Sequence, residues 1–233
     1  VEGKKTINKI AFAVSYNLLS LEGAVHTGAD ALIVHHGIFG KDHFSLTGRE
    51  KKKIKALLDA DISLFGIHLP LDAHRELGNN AQLAACISAD IVEAIEVGFL
   101  LRNTARLSLE DMIRTFHEKL GTDDSPEIPQ KNISAGNKYG MDYLAFGPTI
   151  PELIACISGG SGSYYEPALD KGIDTFISGD IREHIPAIAY ESGTNYLNIG
   201  HYRSEIPGIK ALQSYLEEHF PIKTEFININ NRI

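Results

Sequence analysis

The sequence is poor in cysteine, in long apolar runs and in positive charge. Cys86 and Cys156 are its only cysteines, and their apolar surroundings favour buried thiols in a reducing compartment over a disulfide framework. No apolar run approaches the ~20 residues that a membrane span needs, and no secretory signal is recognisable. Lysine and arginine number 22 against 30 acidic residues, and the formal charge of −8 argues against a broad electrostatic grip on nucleic acid. These absences predict a cytoplasmic protein with neither a membrane nor nucleic acid as its partner.

Histidine, by contrast, is abundant, with ten residues in a chain of 233. The stretch "ALIVHHGIFG" (31–40) places two of them side by side at the end of an apolar run. Strand ends are where α/β proteins place their chemistry, so histidines at such positions are the first candidates for a functional site. Six histidines lie near glycine, proline or acidic residues where predicted strands run into turns: His35, His36, His43, His68, His74 and His201.

Two segments of the chain follow the same pattern. Residues 10–33 and 154–177 align without a gap at an offset of 144, with seven identical positions. Each copy predicts a strand ("IAFAV", "IACIS"), a helix that stops at a glycine, and a second strand ("ADALIVHH", "IDTFISGD"). A further helix and a third strand ("ISLFGIH", "NYLNIGH") follow in both copies. The pattern predicts two related α/β domains, each with a central sheet flanked by helices, although unrelated α/β units also share this order.

The repeat also predicts the domain organisation. We assign residues 1–101 to the first α/β half, 102–150 to a connecting segment and 151–233 to the second half. Within the connecting segment, "SLEDMIRTFHEKLG" (108–121) predicts an amphipathic helix with a capping box formed by Ser108 and Asp111. "KTEFININ" predicts a last strand.

Each third strand leads into a histidine that a carboxylate follows four residues later: His68 with Asp72, and His201 with Glu205. Imidazoles and carboxylates together suit divalent zinc, manganese, iron or nickel. Five ligands are more than one tetrahedral zinc needs, which favours two metal ions ~3.5–4 Å apart. The predicted ligands are His35, His36, Asp72, His201 and Glu205.

Four stretches of the sequence resemble motifs of a known family and occur in the same order as in that family. They are "GADALIVHHGIF", "LFGIHLPLDAHRELGNNAQLA", "GIDTFISGDI" and "IGHYRSEIPGIKAL". The sequence is similar to the GTP cyclohydrolase I type 2 or Nif-three-like family, and most closely to its short bacterial YbgI-type branch. The matching stretches span most of the chain, and residues 101–150 are the least distinctive part.

The resemblance implies a two-domain α/β fold with a dinuclear metal centre between the domains. Carried over residue by residue, the family's ligands fall on the five residues already singled out. The family also implies a ring-shaped homohexamer, and its pattern has a segment upstream of "VEGK", so we expect further residues before Val1. Two departures are "SGD" where "TGE" is common, and Ser204 where threonine is common.

Four residues are candidates for proton transfer. Asp180 aligns with His36 in the repeat and His184 follows it by four residues, so both are candidates for acid–base catalysis. An acid at a helix N-terminus and a histidine with a structural partner are the alternatives. We interpret His68 as an outer partner of the metal site or a proton donor, and His74 as a second residue of that kind.

The glycines of "ISGGSGSYY" (157–165), namely Gly159, Gly160 and Gly162, allow two interpretations. Their backbone amides fit a phosphate cradle, but the stretch matches neither phosphate-binding motif. A tight turn between a strand and a helix is the simpler interpretation.

The leading functional hypothesis is a dinuclear-metal-dependent hydrolase, GTP cyclohydrolase-like by resemblance, that acts on a nucleotide or a related small molecule. No sequence motif for guanine recognition is visible. The alternative is a non-catalytic, metal-binding oligomeric scaffold or regulatory interaction protein. The family's link to a factor that interacts with a transcription component supports this alternative. A ring-shaped nucleic-acid binder agrees poorly with the acidic charge.

Overall fold

The computed structural model describes residues 1–39, 45–121 and 135–229, so that His43 lies outside the described residues. By their internal contacts the residues group into two compact units, one of Val1–Leu71 with Ile209–Asn230 and the other containing Asp72–Gly208. No helix in the described ranges has the length and apolar character that crossing a membrane requires.

The first unit is built on a four-stranded sheet in the order β11-β1-β2-β3. All three strand pairings are parallel. Its elements are β1 (Lys9–Ser15), α1 (Leu18–His26), β2 (Ala31–His36), α2 (Gly48–Asp59), β3 (Ser63–Gly66) and β11 (Lys223–Phe226).

Both faces of the first sheet are covered at its two central strands, which explains why β1 and β2 are almost continuously apolar. Alternate residues of β1 point to opposite faces. Ala11 packs in a cluster with Leu21 of α1 and Leu57 of α2. Phe12 packs in a second cluster with Ile209, on the opposite face.

The second unit is built on a seven-stranded mixed sheet in the order β4-β5-β8-β9-β10-β7-β6. The three central strands β8, β9 and β10 are parallel, and the outer pairings are antiparallel. Its elements are α4 (Asn79–Cys86), β4 (Asp90–Ile95), β5 (Gly98–Arg102), α5 (Leu109–Leu120), β6 (Ala135–Lys138), β7 (Met141–Ala145), β8 (Leu153–Cys156), α6 (Tyr165–Leu169), β9 (Thr175–Ser178), α7 (Ile185–Ser192) and β10 (Asn195–Asn198).

Two helices have residues in both units. They are α3 (Leu69–Asp72) and α8 (His201–His219). The predicted segments 1–101, 102–150 and 151–233 are defined by the sequence repeat. The two compact units are defined by contacts, and their bounds differ from those of the segments. Residues 72–101 and the connecting segment group with the second unit, and β11 joins the first sheet beside β1.

The predicted α/β fold with two sheets flanked by helices is confirmed. The repeat is also visible in detail, because Gly28 and Gly172 lie in the turns that follow α1 and α6 and both have φ +72°. Asp30 accepts hydrogen bonds from the backbone N–H of Asn8 and Lys9. Asp174 accepts the corresponding bonds from Glu152 and Leu153.

In the sequence, the two third strands, β3 and β10, are aligned by matching His68 with His201. The strand pairing gives a different alignment. Ala31 pairs with Ser63, and its counterpart Thr175 pairs with Asn195. By this register His201 corresponds to Leu69 and not to His68. The two histidine–carboxylate pairs are therefore one residue out of structural alignment, and His201 starts α8 whereas His68 precedes α3.

Candidate metal centre

The two adjacent histidines of the first unit close β2 and do not diverge to opposite faces. Their ring centroids lie 4.7 Å apart, with the planes tilted by 53°. His68 lies beside both, with ring centroids at 4.8 Å from His35 and 5.0 Å from His36. Each of these three histidines offers a ring nitrogen, and the three nitrogens lie within 4.8 Å of one another.

Glycine at two positions allows this approach. A Cβ atom built on Gly66, at the end of β3, would lie 3.0 Å from the Cα of Gly37, which follows β2. Most real Cβ contacts are longer than this, so a side chain at either position would require the two strand ends to move apart by a few tenths of an ångström. The parallel strands β2 and β3 thereby bring His68 to the histidines that close β2.

Hydrogen bonds orient the two imidazoles of β2. His35 is fully buried, and its Nδ1 lies 3.0 Å from the carbonyl oxygen of Ile67. A carbonyl only accepts, so Nδ1 carries the proton and Nε2 bears the lone pair that a metal ligand requires. His36 Nδ1 lies 2.9 Å from the hydroxyl oxygen of Ser15.

In the second unit, His201 begins α8 and Glu205 lies one turn further along the same helix. His201 Nε2 lies 3.1 Å from Glu205 Oε1, and Glu205 is only 2% exposed. The side chains meet because residues four apart share a helix face. The Gly159 turn packs directly against them, since a Cβ at Gly159 would lie 2.5 Å from Glu205 Oε1.

Asp72 is the second buried carboxylate of this unit, at 5% exposure. Its Oδ1 accepts hydrogen bonds from Asn79 Nδ2 at 2.8 Å and Ser158 Oγ at 2.9 Å, which fix its orientation. Asp72 and Glu205 each present a carboxylate oxygen, and the two oxygens lie within 4.8 Å. Two buried carboxylates at this range form an environment that a bound cation stabilises.

Sequence reasoning missed the residues that support Asp72. Asn79 and Asn80 are fully buried. Asn79 also accepts from the backbone N–H of Gly208, and Asn80 accepts from that of Ser158. The available signal was the polar pair in "ELGNNAQLA" at the start of a helix with apolar residues, since buried amides require several specific partners.

The other proton-transfer candidates have contacts of a different kind. His74 accepts through Nδ1 from the backbone N–H of Glu76 and Leu77. Asp180 accepts through Oδ1 from the Gly162 N–H and the Ser178 hydroxyl. His184 lies just before α7, with its Nε2 4.0 Å from a Glu166 carboxylate oxygen. The hydrogen bonds of His74 and Asp180 order turns of the second unit, whereas the His184 side chain is about half exposed.

The backbone of Asp180 is held by a buried tyrosine. The Tyr196 hydroxyl donates to the Asp180 carbonyl oxygen at 2.7 Å. Burial raises the pKa of Tyr196, so the hydroxyl keeps its proton and remains a donor at neutral pH. Asp180 therefore anchors the turn that follows β9.

With the ligand candidates placed, comparison with known proteins assigns the family. Residues 1–232 match the family model described as Duf34/NIF3 (NGG1p interacting factor 3). The chain belongs to this family. It is therefore confirmed as a member of the family that the sequence motifs predicted.

Relatives within the Duf34/NIF3 family match almost the whole chain. The chain is 37% identical over 236 residues to the "GTP cyclohydrolase 1 type 2 homolog" of Escherichia coli (strain K12), covering 99% of this chain and 88% of that protein. It is 36% identical over 232 residues to the protein of the same name from Pasteurella multocida (strain Pm70), with the same coverage. A solved structure described as protein ybgI, of unknown function, has a TM-score of 0.87 at 33% identity, covering 100% of this chain and 89% of that chain.

Proposed function

We propose that this protein is a metal-dependent hydrolase with a dinuclear centre held by His35, His36, Asp72, His201 and Glu205. The observation that carries the proposal is the donor set, in which His35, Asp72 and Glu205 are buried. The first unit supplies histidines with an oriented imidazole, and the second supplies two buried carboxylates within 4.8 Å of each other beside His201.

The donor chemistry fits two borderline divalent cations such as zinc, manganese, iron or nickel. Imidazole nitrogen and carboxylate oxygen suit these ions. Partners of the ligands are present as well, since Ile67 and Ser15 orient the histidines and Asn79 and Ser158 orient Asp72. When bound, such ions polarise a substrate and lower the pKa of a coordinated water.

His68 is the residue that we assign to proton transfer. It is exposed, and its ring lies within 5.0 Å, centroid to centroid, of His35 and His36. From this position an imidazole nitrogen can take a proton from the attacking water and return it to the leaving group. We assign structural roles to His74 and Asp180, because their hydrogen bonds order turns. His184 is not assigned to proton transfer either, because its ring faces Glu166 at 4.0 Å.

We propose that a substrate binds in the pocket beside His68. It has a volume of about 190 Å³, with His35 and His68 on one side and Ile38, Phe39 and Leu64 among the other lining residues. The side chains that line it in the described chain are apolar or imidazole. A small, uncharged portion of a substrate fits this environment.

A hydrolysis screen tests the proposal. The metal-loaded protein is assayed against nucleotides, phosphoesters and cyclic amides. The nucleotides include GTP, because the relatives are named after a GTP cyclohydrolase. We expect hydrolysis of at least one class, with kcat lowered about 10²–10⁴-fold in His68→Ala at unchanged metal content. His74→Ala is the matched control and should retain the wild-type kcat.

The rival function is a metal-binding scaffold, which the family description as an interacting factor supports. Metal-loaded protein that hydrolyses nothing in the screen would favour it. We also expect the protein to be cytoplasmic and to form a homohexamer. Light scattering coupled to size-exclusion chromatography measures the number of chains in the oligomer.

A further inference from the structure

We propose a second ligand site, for a small zwitterion, in a cleft of the second unit that is separate from the candidate metal ligands. The cleft has a volume of about 650 Å³. Its charged lining residues are Arg102, Arg106, Glu152 and Asp174. It therefore presents two guanidinium groups and two carboxylates to the same space.

The cleft lies at the opposite end of the parallel strands from the metal ligands of this unit. Leu153 and Asp174, which line it, stand at the amino ends of β8 and β9. Gly159, against which Glu205 packs, follows the carboxyl end of β8. A ligand in the cleft therefore does not touch His201 or Glu205.

Arg102 is the last residue of β5, and Arg106 lies on the ordered loop that follows it. Asn103, 6% exposed, donates through Nδ2 to the carbonyl oxygens of Leu107 and Pro151, both at 2.8 Å, and accepts from the Leu107 N–H. Arg106 has a backbone φ of +54°. A non-glycine residue at positive φ is held there by its surroundings, and Asn103 supplies them.

The guanidinium groups are available to a ligand. Across the described residues, neither Arg102 nor Arg106 forms an ion pair, although Glu152 and Asp174 line the same cleft. Guanidinium binds a carboxylate or phosphate oxygen pair through two parallel hydrogen bonds.

The repeat indicates what Asp174 would bind. In the first unit the equivalent Asp30 uses Oδ2 for two backbone N–H groups and Oδ1 for the Lys4 ammonium, at 2.8 Å. Asp174 uses Oδ2 in the same way, for Glu152 and Leu153. Within the described part of the chain, however, no cation or donor reaches its Oδ1.

The ligand therefore combines two charges. Its ammonium takes the place at Asp174 that Lys4 takes at Asp30, with Glu152 as a further carboxylate beside it. Its anionic group binds Arg102 and Arg106. Amino acids and related ω-amino carboxylates have this chemistry.

Calorimetric titration of the full chain tests the site with glycine, 4-aminobutyrate and 6-aminohexanoate as probes. Hexanoate and hexylamine each carry one of the two charges and are the ligand controls. We expect at least one amino acid to bind about tenfold more tightly than either control, since each charged contact contributes ~1.4 kcal/mol or more.

Variants locate the binding. Asp174→Asn keeps an oxygen for the two backbone N–H groups, and Arg102→Gln and Arg106→Gln each remove one guanidinium, so each variant should weaken binding about tenfold. Asp30→Asn and Arg114→Gln are matched controls and should bind as wild type. The proposal fails if no amino acid binds at about 10 mM, or if the three cleft variants bind as well as the two controls.

Discussion

Gly159 is the residue on which the approach of His201 and Glu205 depends. Its φ of +67° favours glycine, and a Cβ there would meet Glu205 Oε1 at 2.5 Å and His201 Nε2 at 3.3 Å. Gly28 shares the positive φ, at +72°, but a Cβ there has nothing within 4 Å. A comparison of substitutions at Gly159 and Gly28 therefore distinguishes the effect of backbone strain, which both share, from that of steric contact, which only Gly159 has.

We expect Gly159→Ala to lower metal affinity at least tenfold, because Glu205 must move. Gly28→Ala should leave metal affinity unchanged. Both substitutions should lower the free energy of unfolding by about 1 kcal/mol or more through backbone strain, measured by urea unfolding. Equal metal affinity of the two variants would show that Gly159 has no role at the ligands.

A second residue-level prediction concerns the cysteines. Burial raises the pKa of the Cys156 thiol, which is fully buried, and of the Cys86 thiol, which is partly buried. The thiolate is the reactive form, so both cysteines should resist iodoacetamide near pH 8 in the native protein and react after denaturation. Mass spectrometry measures the modification, and rapid native labelling of Cys156 would contradict its burial.

At the scale of elements, α5 shows what local sequence determines. The Ser108 hydroxyl accepts from the Asp111 N–H, and the Asp111 carboxylate accepts from the Ser108 N–H, which is the predicted capping box. Such bonds involve residues three apart, so the sequence alone contains the information.

Ser108→Ala should lower the free energy of unfolding by ~1 kcal/mol, because the cap bond is lost. Thr47 is a matched control, since it precedes α2 but makes no side-chain cap bond. Thr47→Ala should cost clearly less in the same chemical denaturation experiment. A larger loss in Thr47→Ala would contradict the assignment of the caps.

The loop before β1 carries a pH-dependent contact. The Lys4 ammonium, followed by the Asn8 N–H, lowers the pKa of Asp30 below 3.8. Because the folded pKa is the lower one, the contact stabilises the protein above the unfolded pKa and is lost as the pH falls through the folded value. We expect stability to fall below about pH 4.

Asp30→Asn should flatten part of this acid dependence, as should Lys4→Met, which removes the main cause of the shift. Unfolding free energies at pH 7 and pH 3 measure the change. If both variants lose as much stability between these pH values as wild type, Asp30 does not contribute.

Most elements were predictable because their signals are local or repeat along the chain. Buried strands, helix caps and the glycine at the end of α1 and α6 all belong to this class. The placement of β11 beside β1 and the support of Asp72 by Asn79 and Ser158 were not predictable. They depend on pairings between residues far apart in sequence, which the local pattern does not contain.

At the scale of the whole molecule, the proposed ligand set draws on residues from His35 to Glu205. The sequence predicts all five: the repeat draws attention to the two histidine–carboxylate pairs, and the adjacent histidines stand at the end of a predicted strand. The structural register of His68 and His201 differs by one residue. The ligand set stays a prediction. It does not depend on the exact offset, because both histidines lie directly after parallel strands.

The most direct test of the account is the number of divalent ions bound per chain, measured by elemental analysis after loading and desalting. We predict about two ions for wild type, and at least one fewer for His36→Ala and for Glu205→Gln. His74→Ala, outside the proposed ligand set, should retain the wild-type number. Wild type without bound metal, or variants at His36 and Glu205 that bind as much metal as His74→Ala, would contradict the proposed centre.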